Sequence, residues 1–165
     1  RSLYRFSGNL GALLRIDYPA ALELNIPSLA GKRFISLVGM ENEQLLVDPP
    51  LASRKSLSFR EIEKHWGGRG FLLWKDSLNL LMDGSPILPG TKGAHIKQLQ
   101  GLLKEAGIYS KALTGVYDSE TLSAVKAFQS ARGIEEDGIV GGQTLMVLYR
   151  SFNRFEVPTL TGGQK

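Results

Sequence analysis

The sequence predicts an α+β protein in two parts, a mainly antiparallel β half followed by a small three-helix module. Three observations predict it. Through residue 83, short runs alternate apolar and polar residues, as half-buried strands do. Beyond residue 93, apolar residues recur three and four apart, as on amphipathic helices. Between them "DGSPILPGTKG" at 83–93 concentrates Asp, Gly, Ser and Pro, which interrupt both kinds of structure. This places a hinge near Gly84–Gly90 and predicts domains at 1–83 and 84–152, with a loose tail at 153–165.

In the first half, "AALELNIP" alternates Leu22, Leu24 and Ile26 with Glu23 and Asn25 and reads as a strand. "RFISLVGM" and "QLLVDP" flank Glu41-Asn42-Glu43, a hairpin turn. Ser58 and Glu61 form the Ser-x-x-Glu capping box of a short helix through "FREIEKHW". Gly67-Gly68 is expected to stop that helix, and "GFLLW" to return as a strand. Trp66 and Trp74 are expected in the core of this half.

In the second half, "GAHIKQLQGLLKEAG" puts Ile96, Leu99, Leu103 and Ala106 on one helical face and ends at Gly107. Asp118 is the expected N-cap of a helix carrying Leu122, Val125 and Phe128 and stopped by Gly133. A third helix follows Gly141-Gly142, with Leu145, Leu148 and Phe152 inward.

Composition excludes more than it selects. At 165 residues, the chain suits one medium domain or two small ones. The net charge of +4 favours anionic partners without choosing one. Lys and Arg are scattered over both halves with no basic stripe, so nucleic acid is not an expected partner. The absence of cysteine removes disulfides, thiolate metal sites and a cysteine nucleophile. His65 and His95 show no HExxH or related spacing, so neither a metal nor a cofactor is expected. No apolar run approaches membrane-spanning length, so this segment is expected to make no membrane contact of its own. A chain opening on Arg1 is expected to be a processed or excised piece with its targeting segment upstream.

One feature is repeated. "TGVYDSET" at 114–121 is echoed by "DGIVGGQT" at 137–144, with Gly115 matching Gly138 and Thr121 matching Thr144. Both glycines suit positive-φ turns, and both threonines fall in a first helical turn, where a hydroxyl meets exposed backbone groups. The repeat predicts two equivalent loop-to-helix corners in one bundle.

Together with Gly93, Ile96, "LQ" at 99–100, Leu103, Gly107, "AVKAFQ" at 124–129, Gly133 and Leu148, the repeat resembles the type 1 peptidoglycan-binding domain. Thr114 departs from it, since the family often has Asp there. The resemblance implies non-catalytic attachment to peptidoglycan. On this reading Tyr117 offers a flat surface to a sugar or peptide, and Asp118, Gln129 and Arg132 fix polar groups. Thr121 and Thr144 complete the candidate site at the two corners. The plainer alternatives stay open: a cap for Asp118, a core edge for Tyr117 and a solvated face for Arg132.

The first half is similar to another family. "RFISLVGMENEQLLVDPP" resembles the C-terminal half of papain-like cysteine peptidases of the bacteriocin-processing type. The resemblance implies that Arg33 stands where that family has its catalytic His, and Asp48 where it has the orienting Asp. A guanidinium stays protonated near neutral pH and cannot act as the base, and no thiolate is present. The region is a degenerate peptidase-like domain or half of one, with Asp48 free to pair with a nearby Arg. In their order, the two halves resemble the periplasmic region of the general secretion pathway protein A family. That implies a periplasmic part of an inner-membrane protein, which grips the wall so that a type II secretion secretin assembles through it. Its partners would be peptidoglycan and secretion-system envelope proteins. The alternative is a cell-wall or peptide hydrolase fragment carrying a wall-binding module.

Overall fold

The computed structural model describes residues 1–27 and 31–162. The chain folds as two units, one made of Arg1–Trp74 with the segment from Val157 onward, the other of Lys75–Glu156. The α+β class read from the sequence holds. The division falls at Trp74–Lys75, ahead of the expected 83/84 boundary, and the described part of the expected tail, 153–162, is divided between the two units at Glu156–Val157.

The first unit is a six-stranded antiparallel sheet in the order β1-β6-β2-β3-β4-β5. Its strands are β1 (Ser2–Ser7), β2 (Ala20–Leu24), β3 (Arg33–Glu41), β4 (Gln44–Leu51), β5 (Arg54–Ser58) and β6 (Trp66–Trp74). Two short helices, α1 (Leu10–Ile16) and α2 (Phe59–His65), complete it. Alternation buries Ala20, Leu22 and Leu24 on β2 and Ile35 and Leu37 on β3, while their neighbours face outward. The expected hairpin is present: Glu41 pairs with Gln44, and Asn42 and Glu43 form the turn, both at positive φ. The capping box is present as well, with Ser58 Oγ accepting from the Glu61 N–H and Glu61 Oε2 accepting from the Ser58 N–H (2.9 Å). Both tryptophans are buried, as expected, and Trp66 stacks on Phe6.

Gly67-Gly68 does not stop α2. The helix ends at His65, and both glycines lie inside β6, which begins at Trp66. Strands β1 and β5 and helix α1 are additions to the sequence reading.

The tail returns to this unit. Leu160 is buried, and its carbonyl accepts from the Met40 N–H (2.7 Å). The Asp17 carboxylate takes the Leu160 and Thr161 N–H groups at Oδ1 (3.1 Å each) and the Thr161 hydroxyl at Oδ2 (3.0 Å).

The second unit holds α3 (Ala94–Glu105), α4 (Ser119–Ala131) and α5 (Gly142–Arg150). Helices α3 and α4 end alike. The N–H groups of Gly107 and Ile108 donate to the Lys104 and Leu103 carbonyls, and those of Gly133 and Ile134 donate to Ser130 and Gln129. These are paired Schellman closures on the two glycines that the sequence marked as stops. Ile96, Leu99, Leu103, Val125, Phe128, Leu145, Leu148 and Phe152 are buried as expected, whereas Ala106 and Leu122 are half-buried.

The expected hinge is no hinge. Asp76 Oδ1 accepts from the Tyr149 hydroxyl and Oδ2 from the Leu81 N–H (2.7 Å), tying the chain just ahead of the segment to α5. Leu80 and Ile87 are buried, and Ile87 exchanges both backbone bonds with Val140 (3.0 Å each). The Pro and Gly density that reads as a linker instead belongs to a stretch whose backbone groups are paired inside the unit.

Candidate functional site

The two corners share one hydrogen-bonding scheme, each centred on a buried glutamine. At the first, Gln100 of α3 accepts at Oε1 from the Gly115 N–H (3.0 Å). Its Nε2 faces Thr114 Oγ1 (3.1 Å), the Val116 carbonyl (3.0 Å) and Thr121 Oγ1 (2.9 Å). At the second, Gln129 of α4 accepts from the Gly138 N–H (2.9 Å). Its Nε2 faces Asp137 Oδ1 (2.9 Å), the Ile139 carbonyl (3.0 Å) and Thr144 Oγ1 (3.2 Å). A primary amide offers an acceptor and two donors on one rigid plane. Each glutamine therefore clamps the turn before it to the first turn of the next helix.

The turn residues match too. Thr114 Oγ1 accepts from the Val116 N–H (3.2 Å), and Asp137 Oδ1 accepts from the Ile139 N–H (2.8 Å). Hydroxyl and carboxylate serve the same local bond, so Thr114 fills the role of an Asp. Gly115 and Gly138 have φ of 72° and 71°. A Cβ at Gly138 would stand 2.3 Å from Leu122 Cδ1, and one at Gly115 3.2 Å from the Gly93 carbonyl oxygen. Only glycine suits both places.

The corners are also stitched to each other. Tyr117, 1% exposed, donates its hydroxyl to the Gly138 carbonyl (2.7 Å). Burial pushes this phenol above its ordinary range, and the Asp137 charge adds to the effect. The Gly90 N–H donates to the Tyr117 carbonyl, the Tyr117 N–H to Thr91 (2.8 Å each), and the Gly93 N–H to Gly115 (2.9 Å).

The six candidate residues do not converge on one surface. Tyr117 and Thr121 are buried in the first corner, Gln129 and Thr144 in the second, and their polar atoms are engaged inside the unit. Asp118 is half-buried and caps α4, its Oδ1 accepting from the Thr121 N–H (2.9 Å) and hydroxyl (2.8 Å). The Thr121 N–H, and then its hydroxyl, hold this carboxyl below the ordinary range. Arg132 is exposed, donates to Ser151 Oγ (3.1 Å) and lies over the Phe128 ring. It sits at the far end of α4, about 20 Å from Asp118 at 1.5 Å per residue. Gln100 is missing from the sequence-derived site. The signal for it is an apolar-Gln pair, Leu99-Gln100, repeated as Phe128-Gln129.

In the sheet unit, Arg33 and Asp48 are both exposed. Asp48 lies opposite Ser36 and Arg33 opposite Leu24. Strand alternation sets Arg33 on the side of Ile35 and Leu37, and Asp48 on the side of Ser36, the other face of the sheet. The pair expected between Asp48 and a nearby arginine is not formed among the described residues. His65 and His95 are half-buried, and no group of three metal-ligating side chains occurs among the described residues.

The spore cortex-lytic enzyme of Halalkalibacterium halodurans is 37% identical over 82 residues, covering 48% of this chain and 25% of that protein. The chain thus spans about a quarter of that relative's length. Among solved structures, the SleB N-terminal domain aligns at 31% identity and a TM-score of 0.40, over 41% of this chain and 93% of that one. A periplasmic domain of the EpsAB fusion protein of the Vibrio vulnificus type II secretion system aligns at 18% identity and a TM-score of 0.47. It covers 97% of this chain and 78% of that one. Residues 92–148, the stretch that holds both glutamine-centred corners, match the family described as "Putative peptidoglycan binding domain".

Proposed function

We propose that the helical unit attaches the protein to peptidoglycan and performs no chemistry on it. The observation that carries this reading is that the doubled corner lies wholly within residues 92–148, the stretch matched by the peptidoglycan-binding family. Glycan strands and stem peptides carry hydroxyls, amides and carboxylates, which suit polar side chains and helix-start amides. Asp118 and Arg132 are assigned direct contact. Tyr117, Thr121, Gln129 and Thr144 act through the turns they hold in shape.

The wider reading is a periplasmic part of an inner-membrane protein, supporting assembly of a type II secretion secretin through the wall. It rests on the order of a peptidase-like β half before a wall-binding module, and it makes secretion-system envelope proteins the further partners. A non-enzymatic role is supported by the cysteine-free sequence and by Arg33 and Asp48 on opposite faces of the sheet. The two proposed domains serve as a platform and a grip.

One observation favours a second reading. The relative from Halalkalibacterium halodurans is a lytic enzyme, so a hydrolase carrying this module is the rival. Sedimentation with purified sacculi separates the two. The chain is expected to pellet with sacculi while releasing no more soluble muropeptide than a heat-killed control. Asp118→Ala or Arg132→Ala, folded by circular dichroism, should lower the pelleted fraction, while Lys55→Ala in the sheet unit should not. Muropeptide release above the control would establish the rival; a chain that stays in the supernatant would end both.

A further inference from the structure

We infer that residues 157–161 form a releasable strap on the sheet unit, one that opens as a step of its own while the strands beneath it stay paired. The strap sits where the sheet is incomplete. Strand β2 begins at Ala20, and its last partner on β3 is Leu37. Beyond that point the β2 side of β3 has no strand beside it, and the Met40 N–H donates to the Leu160 carbonyl instead. Asp17 stands just before β2, in the left-handed region at φ 54°, and from there its carboxylate gathers the Leu160 N–H, the Thr161 N–H and the Thr161 hydroxyl. The tail therefore fills a notch left by a short strand.

The attachment is narrow. Leu160 is the buried side chain of the strap; Val157 and Thr159 are half-buried, and Pro158 and Thr161 are exposed. Pro158 has no N–H to contribute, and the segment belongs to neither a helix nor a strand. Its bonds include those to the Asp17 carboxylate, one from the Leu160 N–H to the Asp17 carbonyl (3.3 Å) and one backbone pairing to β3, around a single buried leucine. The strands of the sheet, by contrast, are joined by ladders of four to six residue pairs each. Segments with few buried contacts open locally at a fraction of the global unfolding free energy. Opening bares the Met40 N–H and the leucine site, and it removes the attachment of the chain after Glu156 to the sheet unit.

Amide hydrogen exchange on the full chain tests this. In the wild type, the amides of Met40, Leu160 and Thr161 should exchange together, at least ~100-fold faster than that of Leu37 in the paired part of β3. Asp17→Gly keeps the left-handed backbone while removing the carboxylate. It should speed Met40 exchange at least ~10-fold and leave Leu37 and the α4 amides unchanged. Leu160→Ala, which alters only the strap, should do the same and guards against an Asp17 variant that fails to fold. If Met40 exchanges in step with Leu37 in the wild type, the segment is an integral part of the sheet and the inference fails. It fails equally if the Leu160 variant changes Met40 and Leu37 by the same factor.

Discussion

At the scale of single residues, Gln100 and Gln129 carry the helical unit's most exacting chemistry, because each is buried and serves partners on both sides of a turn. Replacing either by leucine keeps most of the volume but strands the Gly115 or Gly138 backbone N–H in the interior. Leaving a buried polar group unsatisfied costs roughly 1–3 kcal/mol, so each variant should lower stability by about that much in urea denaturation. Gly138→Ala should lose a similar amount, from its positive φ and the Leu122 side chain in its way. An unchanged midpoint for Gln100→Leu would mean the corner is not held as described. The sequence showed the glycines and threonines of these corners but not their burial. Gln and Thr are surface residues by type, and Gln100 meets Thr121 only because α3 and α4 pack side by side. Hence four of the six candidates, Tyr117, Thr121, Gln129 and Thr144, lie buried where the sequence reading had them at a surface.

At the scale of elements, local signals were readable where a few neighbouring residues decide the outcome. The Ser58–Glu61 box, the Asn42–Glu43 turn and the glycine stops of α3 and α4 are of this kind. Helix α1, seven residues long, and β1, six long, offer too few periods to read. The 83–93 stretch misleads because its backbone partners lie far away in sequence, at Tyr117 and Val140. The capping box yields a pH prediction. The Ser58 backbone N–H, then Arg54, hold the Glu61 carboxyl down to about 2. A depressed carboxyl stabilises the folded state fully above the ordinary Glu value of about 4.3 and loses that contribution as pH falls toward 2. An acid titration followed by near-UV circular dichroism should show loosening at the start of α2 across this window. Glu61→Gln should remove that step and leave the neutral-pH signal almost intact.

At the scale of the whole molecule, the chain is two units, and the second is written into the middle of the first. The expected boundary would cut the helical unit, losing Leu80, Leu81 and the Asp76–Tyr149 tie. A fragment spanning 75–156 should therefore melt higher than one spanning 84–152. Each kcal/mol is worth roughly 4–8 °C for a unit of this size. Equal melting temperatures would return the boundary to Gly84. Pro and Gly density marks an interruption of regular structure, and that much was readable; whether the interruption is free or laced to its surroundings depends on the complete fold.

The return of Leu160 to the notch beside Met40 also sets an order in time. A chain made from its N-terminus presents all six strands long before the residues that finish their sheet. The entire helical unit must come first, and at about 5–20 residues per second that interval is several seconds. During it, the nascent sheet has an open backbone donor and an unfilled leucine site, while the helical unit can close as soon as Glu156 appears. The unit encoded second is thus the first to be complete. A chaperone or neighbouring nascent chain meets the sheet unit in its one vulnerable period, before the tail arrives to seal it.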